Sequence, residues 1–183
     1  MMQLRERNLV RIKKLFDKLP QGRRVELLNT SFGAMLAVFW EEKLCALTLP
    51  LSESEVAKMQ LLTSSLSFPS AVALKLAGDM EIYLQGRKIN FSYPLLWDIY
   101  KPFTRKVLKE TCKIPYGRTI TYKKLAENIN NSGSFRAIGQ ALAKNYTPIL
   151  IPCHRVVGSK GSLKGYSWGE EWKRSLLILE GAF

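Results

Sequence analysis

The sequence has little of what builds a metal centre or crosses a membrane. It contains one histidine and three scattered cysteines, Cys45, Cys112 and Cys153, which cannot complete a conventional tetrahedral zinc shell. No apolar run approaches the roughly 20 residues that span a bilayer, and the N-terminus is charged rather than a signal sequence. We therefore expect an intracellular protein without a membrane partner. A Cys45–Cys112 disulfide is compatible with the sequence but is not required by it.

Acidic residues are also few: 15 stand against 28 lysines and arginines, for a net charge of +13. This excess favours a polyanionic partner, most commonly nucleic acid. An ordinary lysine-rich surface, as on a ribosome- or membrane-associated protein, is the alternative. Hydrophobic residues make up 46% of the sequence, which contains no repeats, so the chain is expected to be globular. Its length suits one large domain or two small ones.

The N-terminal part mixes strand and helix patterns, which predicts a small α/β domain over residues 1–92 with an antiparallel sheet. A linker is predicted over residues 93–102. The expected elements, in chain order, are a helix over Glu6–Leu19, strands over Arg24–Asn29, Ala34–Glu41 and Lys43–Leu49, and helices over Glu53–Leu66 and Ser70–Gln85.

Residues 103–183 predict a second, mainly α-helical domain. Thr104, Thr121 and Ser134 can each cap a helix. The second and third of these helices are joined by a short glycine-containing break at residues 130–133. On a chain of this charge, such a pair favours a helix-turn-helix of the winged type.

The third helix carries small residues on its polar face. Phe135, Ile138 and Leu142 form its predicted inward stripe, and the other face consists of Arg136, Gly139, Gln140 and Ala143. A glycine inside a helix costs about 0.5–1 kcal/mol relative to alanine, so its presence suggests that another surface approaches closely. The alternative is an ordinary helix pair in which Gly139 packs against its neighbour.

Cys153 and His154 are the strongest candidates for chemistry. A thiolate is a strong nucleophile, but a thiol with its ordinary pKa of about 8.5 needs a base or a positive field at neutral pH. His154 is the only imidazole available. Neighbouring residues of a strand point to opposite faces, so the pair requires a bridging water or an irregular backbone, which Pro152 favours. By themselves the two residues also fit a core cysteine and a structural histidine.

The segment Pro-Cys-His-Arg-Val-Val, residues 152–157, resembles the signature of the O6-alkylguanine-DNA alkyltransferases. The resemblance runs from Phe103 to Gly181. Its other segments lie in the family's order and spacing: Pro115–Gly117, Thr121–Ala126, Arg136–Gly139, Asn145, Pro148–Val157, Gly165–Ser167 and Leu179–Gly181. The N-terminal part carries no such signature.

This resemblance implies DNA repair by direct reversal. A guanine with an O6-alkyl group in double-stranded DNA is expected to be flipped out from the minor groove, and Cys153 is expected to accept its alkyl group irreversibly. In the family's pattern His154 deprotonates the thiol through water and Glu180 orients the imidazole. Tyr122 matches the tyrosine that donates to the guanine, and Asn145 matches the residue that supports the turn linking the recognition helix to the active site.

The resemblance also assigns the DNA contacts. Arg136 matches the finger that fills the space left by the extruded nucleotide. The minor groove is only about 6 Å wide, which accounts for the small face of Gly139, Gln140 and Ala143. Thr121 and Tyr122 complete the expected DNA-binding set.

The guanine pocket is expected to be lined by Pro148, Val156, Val157, Tyr166, Ser167 and Trp168. The loop over residues 158–167 closes over the base in the family. Trp168 stands where many members have a small residue, so it predicts a narrower pocket that hinders adducts as large as benzyl.

No residue here hydrolyses the thioether product, so we expect a single turnover, no cofactor and no metal. The resemblance further implies a monomer in the absence of DNA, located in the cytoplasm, on the nucleoid, or in the nucleus of a eukaryote. The sequence leaves open whether O4-alkylthymine is also a substrate.

Three other functions fit parts of the pattern. A lesion-binding protein of this type lacks the cysteine that is present here. A helix-turn-helix transcription regulator explains the charge but not the Cys153, His154 and Glu180 set. A cysteine hydrolase uses such a set but turns over and needs no charge of +13.

Overall fold

The computed structural model describes residues 10, 14–16, 18, 19, 21–62, 68–131, 133 and 135–183. The chain forms two compact units; the first ends at Ile99 and the second begins at Tyr100. No helix within these described ranges is long and apolar enough to cross a membrane. Most of the predicted first helix lies outside the described residues, as does the expected cap Ser134.

The first unit contains the predicted antiparallel sheet. Its strands are β1 (Arg24–Thr30), β2 (Gly33–Trp40) and β3 (Lys43–Leu47), paired in the order β1–β2–β3. Five consecutive residues of the central strand, 35–39, are buried, because side chains on both faces of this strand are covered. Cys45 on β3 is fully buried, as expected for a small core residue, and burial raises its pKa to about 11.

Two helices follow the sheet: α1 (Glu53–Leu62) and α2 (Ala71–Leu84). Ser70 caps α2, because its hydroxyl accepts a hydrogen bond from the Ala73 amide at 3.3 Å. The Ser70 amide in turn donates to the buried carboxylate of Glu26 at 2.6 Å, which fixes the start of α2 against β1. Both predicted helices are confirmed over these ranges.

The first part of the predicted linker is paired with the sheet. The Leu44 amide donates to the Pro94 carbonyl at 2.8 Å, and the Leu96 amide donates to the Leu44 carbonyl at 3.0 Å. A single 3-10 turn, Trp97–Ile99, then ends the first unit.

The second unit is mainly helical, as predicted. Its helices are α3 (Pro102–Thr111), α4 (Tyr122–Asn128), α5 (Phe135–Leu142) and α6 (Glu170–Leu179). The short strands β4 (Ile120–Thr121) and β5 (Val156–Val157) pair in parallel. Helices α3, α4 and α5 pack against one another, so α4 and α5 form the expected helix pair.

Two sequence predictions in this unit are wrong, while a third is confirmed. Thr104 does not cap α3. Lys101 is the N-cap residue, and Pro102 is the first helical residue because its fixed φ suits that position. Thr104 lies buried in the first turn. Phe135 is not inward-facing, for its side chain is 46% exposed, and Ala141 is buried beside Ile138 instead. Thr121 caps α4 as predicted, accepting from the Lys124 amide at 3.1 Å.

Candidate functional site around Cys153

Cys153 lies at the start of a 3-10 turn over Cys153–Arg155. Pro152 precedes the turn with φ −80° and ψ 59°, outside both the helical and the extended regions. The backbone is therefore irregular at this point, as Pro152 led us to expect. Cys153 is 6% exposed and His154 is completely buried, so both side chains belong to the interior of this unit. None of the three cysteines forms a disulfide, so Cys45 and Cys112 are not bonded to each other.

The turn that precedes Cys153 is strained and is held by Asn145. Ile149 has φ +73°, which a β-branched residue adopts only when its surroundings force it. The Asn145 amide nitrogen donates to the Ile151 carbonyl at 2.8 Å, and its oxygen accepts from the Thr147 amide at 3.0 Å. The same nitrogen lies 3.0 Å from the sulfur of Cys153. Asn145 thus contacts the thiol itself as well as the turn.

His154 and Glu180 form a buried pair. The Nε2 atom of His154 lies 2.9 Å from Oε1 of Glu180, although 25 residues separate the two in the chain. Arg155 binds the same carboxylate through two nitrogens, Nε and Nη2, each at 2.8 Å. Gly117 adds its backbone amide at 3.3 Å. A two-nitrogen arginine contact keeps a carboxylate ionised, so Glu180 is the acceptor and His154 Nε2–H the donor.

This tautomer leaves the lone pair on His154 Nδ1. That atom is buried and has no hydrogen-bond partner among the described residues. Burial lowers the pKa of His154, and the charges of Arg155 and Lys173 lower it further against the opposing effect of Glu180. His154 is accordingly neutral at pH 7 and presents a basic nitrogen.

Gly117 is required for Glu180 to reach this position. Its φ is +72°, and a side-chain Cβ built on it would lie 2.8 Å from the Glu180 carbonyl oxygen. The turn over residues 115–118, closed by the Arg118 amide on the Pro115 carbonyl, therefore packs directly on the end of α6.

Tyr122 is brought to the cysteine by the strand pair. Ile120 pairs with Val156 and Thr121 with Val157, so the first residue of α4 follows a strand that is bonded to the Cys153 turn. Burial, and next the charge of Cys153, raise the pKa of Tyr122. Its hydroxyl remains a proton donor at neutral pH.

Lys173 is a site residue that the sequence did not indicate. It is fully buried on α6, and its Nζ donates to the Val156 carbonyl at 2.6 Å. The same Nζ lies 5.9 Å from the ring centroid of Tyr122 and 5.8 Å from that of Tyr166. Burial lowers the pKa of Lys173 from 10.5 to about 8, with a smaller opposing effect from Cys153. A cation therefore stands between the two tyrosines and interacts with the cysteine.

The lowered pKa of Lys173 predicts a specific dependence of stability on pH. Between pH 8 and 10.5 the unfolded chain binds a proton that the folded chain has lost, so the free energy of unfolding rises with pH across this window. We expect the wild-type protein to gain up to about 3 kcal/mol there relative to Lys173→Met, at 1.36 kcal/mol per pKa unit. Urea unfolding at several pH values measures this difference. Lys164→Met, at an exposed lysine, keeps Lys173 and should show the same rise with pH as the wild type. Parallel curves for Lys173→Met and wild type would contradict the assignment.

An open cleft of about 630 Å³ lies on the helix pair. It is bordered by the start of α4, the start of α5 and one residue of the loop after β5. Four predicted DNA-binding residues, Thr121, Tyr122, Arg136 and Gly139, line it together with Lys123, Phe135 and Ser159. A Cβ built on Gly139 would meet Tyr122 at 4.0 Å, an ordinary contact, so packing against α4 does not demand this glycine.

The remaining predicted site residues differ in burial and in whether they border the cleft. Gln140 is exposed on α5, whereas Ala143 is half-buried and lies just after the helix ends at Leu142; neither lines the cleft. Of the predicted pocket residues, Ser167 is half-buried, whereas the buried ones are Pro148, Val156, Val157, Tyr166 and Trp168. The side chain of Val157 packs in a core cluster with Leu163 and Leu177. Trp168 is 8% exposed and does not border the cleft.

Fold and site together define a class of protein: a small α/β unit precedes a helix-turn-helix unit that buries a cysteine beside a neutral histidine. Residues 102–182 match the model of the 6-O-methylguanine DNA methyltransferase DNA-binding domain. A solved O6-methylguanine DNA methyltransferase from Methanococcus jannaschii is 30% identical, with a TM-score of 0.65, and the likeness covers 86% of this chain and 93% of that one. The chain belongs to the O6-alkylguanine-DNA alkyltransferase family.

Two further relatives extend the comparison. The methylated-DNA–protein-cysteine methyltransferase of Saccharolobus islandicus is 44% identical over 102 residues, which are 56% of this chain and 65% of that protein. The chain thus matches somewhat less than two thirds of the length of this curated relative. The structure of Mycobacterium tuberculosis OGT in complex with DNA has a TM-score of 0.71 at 27% identity, over 87% of this chain and 93% of that one.

Proposed function

We propose that this protein repairs DNA by transferring an alkyl group from O6 of guanine to Cys153, which retains it. One observation carries the proposal: the Cys153 sulfur lies 3.0 Å from the Asn145 amide and next in sequence to a buried, neutral histidine held by Glu180. Membership of the alkyltransferase family agrees with this chemistry.

Activation of the thiol uses the free lone pair of His154. Since Nε2–H is bonded to Glu180, Nδ1 is the atom that can take the thiol proton, through one bridging water. The thiolate is then stabilised by the Asn145 amide and by the positive charge of Lys173. Glu180 does not change protonation, because Arg155 compensates its charge throughout.

In the transfer step the Cys153 sulfur forms a bond to the alkyl carbon as the bond from that carbon to O6 breaks. The bonding electrons move onto the guanine, which must be protonated to leave as a neutral base. We assign this donation to the Tyr122 hydroxyl, whose pKa is raised by burial and next by the charge of Cys153, and the proton taken by His154 restores the balance. The product is a thioether, so each molecule acts once. Transfer from O4 of thymine would use the same thiol.

DNA is presented to this site by the helix pair. We infer that α5 enters the minor groove, where the small residues Gly139 and Ala143 permit close approach. The target guanine is flipped out of the duplex, because a buried thiol cannot reach O6 within the base stack. Arg136, which lines the cleft, occupies the vacated space. The remaining interior residues Val156, Tyr166 and Trp168 enclose the base, and Trp168 limits the size of the adduct.

The proposal includes the rest of the chain. Residues 1–92 have a structural role, residues 93–102 connect them to the catalytic residues 103–183, and the protein is a monomer until it binds DNA.

Transfer of radiolabel tests this function. We expect one methyl group per protein molecule to move from duplex DNA with labelled O6-methylguanine to the wild-type protein, and none to Cys153→Ala. Cys112→Ala is the matched control, since Cys112 is a free and exposed thiol at the end of α3, and it should accept label like the wild type.

The other outcomes identify the competing functions. DNA binding without label on the protein indicates a lesion-binding protein or a transcription regulator, which differ in whether the lesion raises affinity. Release of several labels per molecule indicates a cysteine hydrolase. A parallel assay with labelled O4-methylthymine decides whether that base is a substrate.

A further inference from the structure

Phe135 is a large apolar side chain at the edge of the cleft. It is the first residue of α5 and immediately precedes Arg136, and both residues line the cleft. With 46% of its surface exposed, it contributes little to the core of this unit. Two other exposed large apolar residues described in the same unit, Ile178 and Phe183, do not border the cleft.

The surroundings of Phe135 combine aromatic, small and cationic groups. Tyr122 and Gly139 form an apolar part of the cleft wall, while Lys123 and Arg136 supply positive charge. This combination suits nucleic acid, because bases stack on aromatic rings and phosphates attract cations. In the first turn of a helix, neighbouring residues are about 100° apart, so Phe135 and Arg136 project from the same end of α5 on adjoining faces.

We propose that Phe135 is a second DNA-inserting residue, which stacks on the base pair next to the extruded guanine while Arg136 fills the vacated space. Apolar side chains that approach from the minor groove are known to enter base steps and unstack them. This role rests on the proposed function, since it requires a flipped guanine in duplex DNA. It gives the protein an aromatic ring as well as a cation with which to keep the duplex open.

Phe135→Ala should impair the reaction with duplex DNA alone. We expect the rate constant for methyl transfer from O6-methylguanine in a duplex, at subsaturating DNA, to fall about tenfold, in the range that loss of one base–aromatic contact produces. The reaction with the free base O6-methylguanine, which needs no duplex opening, should stay within about twofold. Phe135→Trp should retain the duplex rate, and Phe135→Leu should be intermediate.

Ile178→Ala is the matched control, because it truncates an exposed apolar residue of the same unit outside the cleft. It should leave both reactions unchanged. A second measurement uses a duplex whose O6-methylguanine lies opposite an abasic site, so that part of the unpairing is already done. The defect of Phe135→Ala should shrink on this duplex.

The outcomes separate this role from the function it depends on. If wild-type protein accepts no methyl group from either substrate, the proposed function fails. If wild type reacts but Phe135→Ala matches it on duplex DNA, the inserted ring is refuted and the function stands. Equal losses on duplex DNA and on the free base O6-methylguanine would also refute it, because they would show damage to the Cys153 site.

Discussion

Glu180→Gln should slow alkyl transfer by about 100-fold or more, because it removes the acceptor that orients His154. The glutamine amide can present an N–H to Nε2 and so favour the tautomer with the proton on Nδ1. That tautomer has no lone pair on the only nitrogen available to take the thiol proton. Rates of label transfer from methylated duplex DNA, followed at a single turnover, measure the loss.

The same substitution should destabilise the fold. Arg155 is 11% exposed and would lose both contacts to a charged partner, and breaking a buried pair in this way costs about 3–5 kcal/mol. Transfer is therefore measured at a temperature at which circular dichroism shows the variant to be folded. Glu171→Gln, on the exposed first turn of α6, is the matched control and should behave as wild type.

Arg155→Met separates stability from catalysis. It removes the ion pair but keeps the bond between His154 and Glu180, so we expect a clear loss of stability with a transfer rate within about tenfold of wild type. A folded Glu180→Gln protein that reacts at the wild-type rate would contradict the role given to the imidazole tautomer.

Asn145→Asp should slow alkyl transfer about as much as Glu180→Gln, because Asn145 contacts the Cys153 sulfur. The two side chains have the same shape, but the carboxylate replaces the donor that faces the Ile151 carbonyl and the Cys153 sulfur with an acceptor. Loss of one preorganised donor to a developing charge costs about 100- to 1000-fold, and a like charge beside the thiolate adds to this. Label transfer and the rate at which iodoacetamide alkylates Cys153 should fall together.

Asn145→Ala tests the same contact without a new charge. It should lose about 100-fold in transfer, and its unfolding free energy should fall by about 3 kcal/mol because the Thr147 amide and Ile151 carbonyl lose their buried partner. Asn90→Asp, at an exposed residue of the first unit, is the matched control. If Asn145→Asp folds and Cys153 retains its wild-type reactivity, Asn145 supports the turn alone.

Local sequence determined much of this protein. Strand-like segments separated by polar or glycine-containing breaks predicted the three strands, and the cap Thr121 and the helical spacing of apolar residues predicted helices that the structure confirms. These features depend on neighbours within a few residues, and such short-range preferences are legible in a sequence. The irregular backbone at Cys153 was one of two alternatives, and Pro152 favoured it.

Tertiary structure decided what depends on distant partners. The sequence marked Phe135 as inward, but a two-turn helix presents several possible stripes, and only packing against α3 and α4 selects the one that is buried. Lys173 would be assigned to the surface by residue type. It is buried because the Val156 carbonyl and the rings of Tyr122 and Tyr166 meet where α6 docks. Likewise, the sharing of Glu180 by His154 and Arg155 exists only once α6 ends against the Cys153 turn, since no local pattern can encode a contact between separate segments.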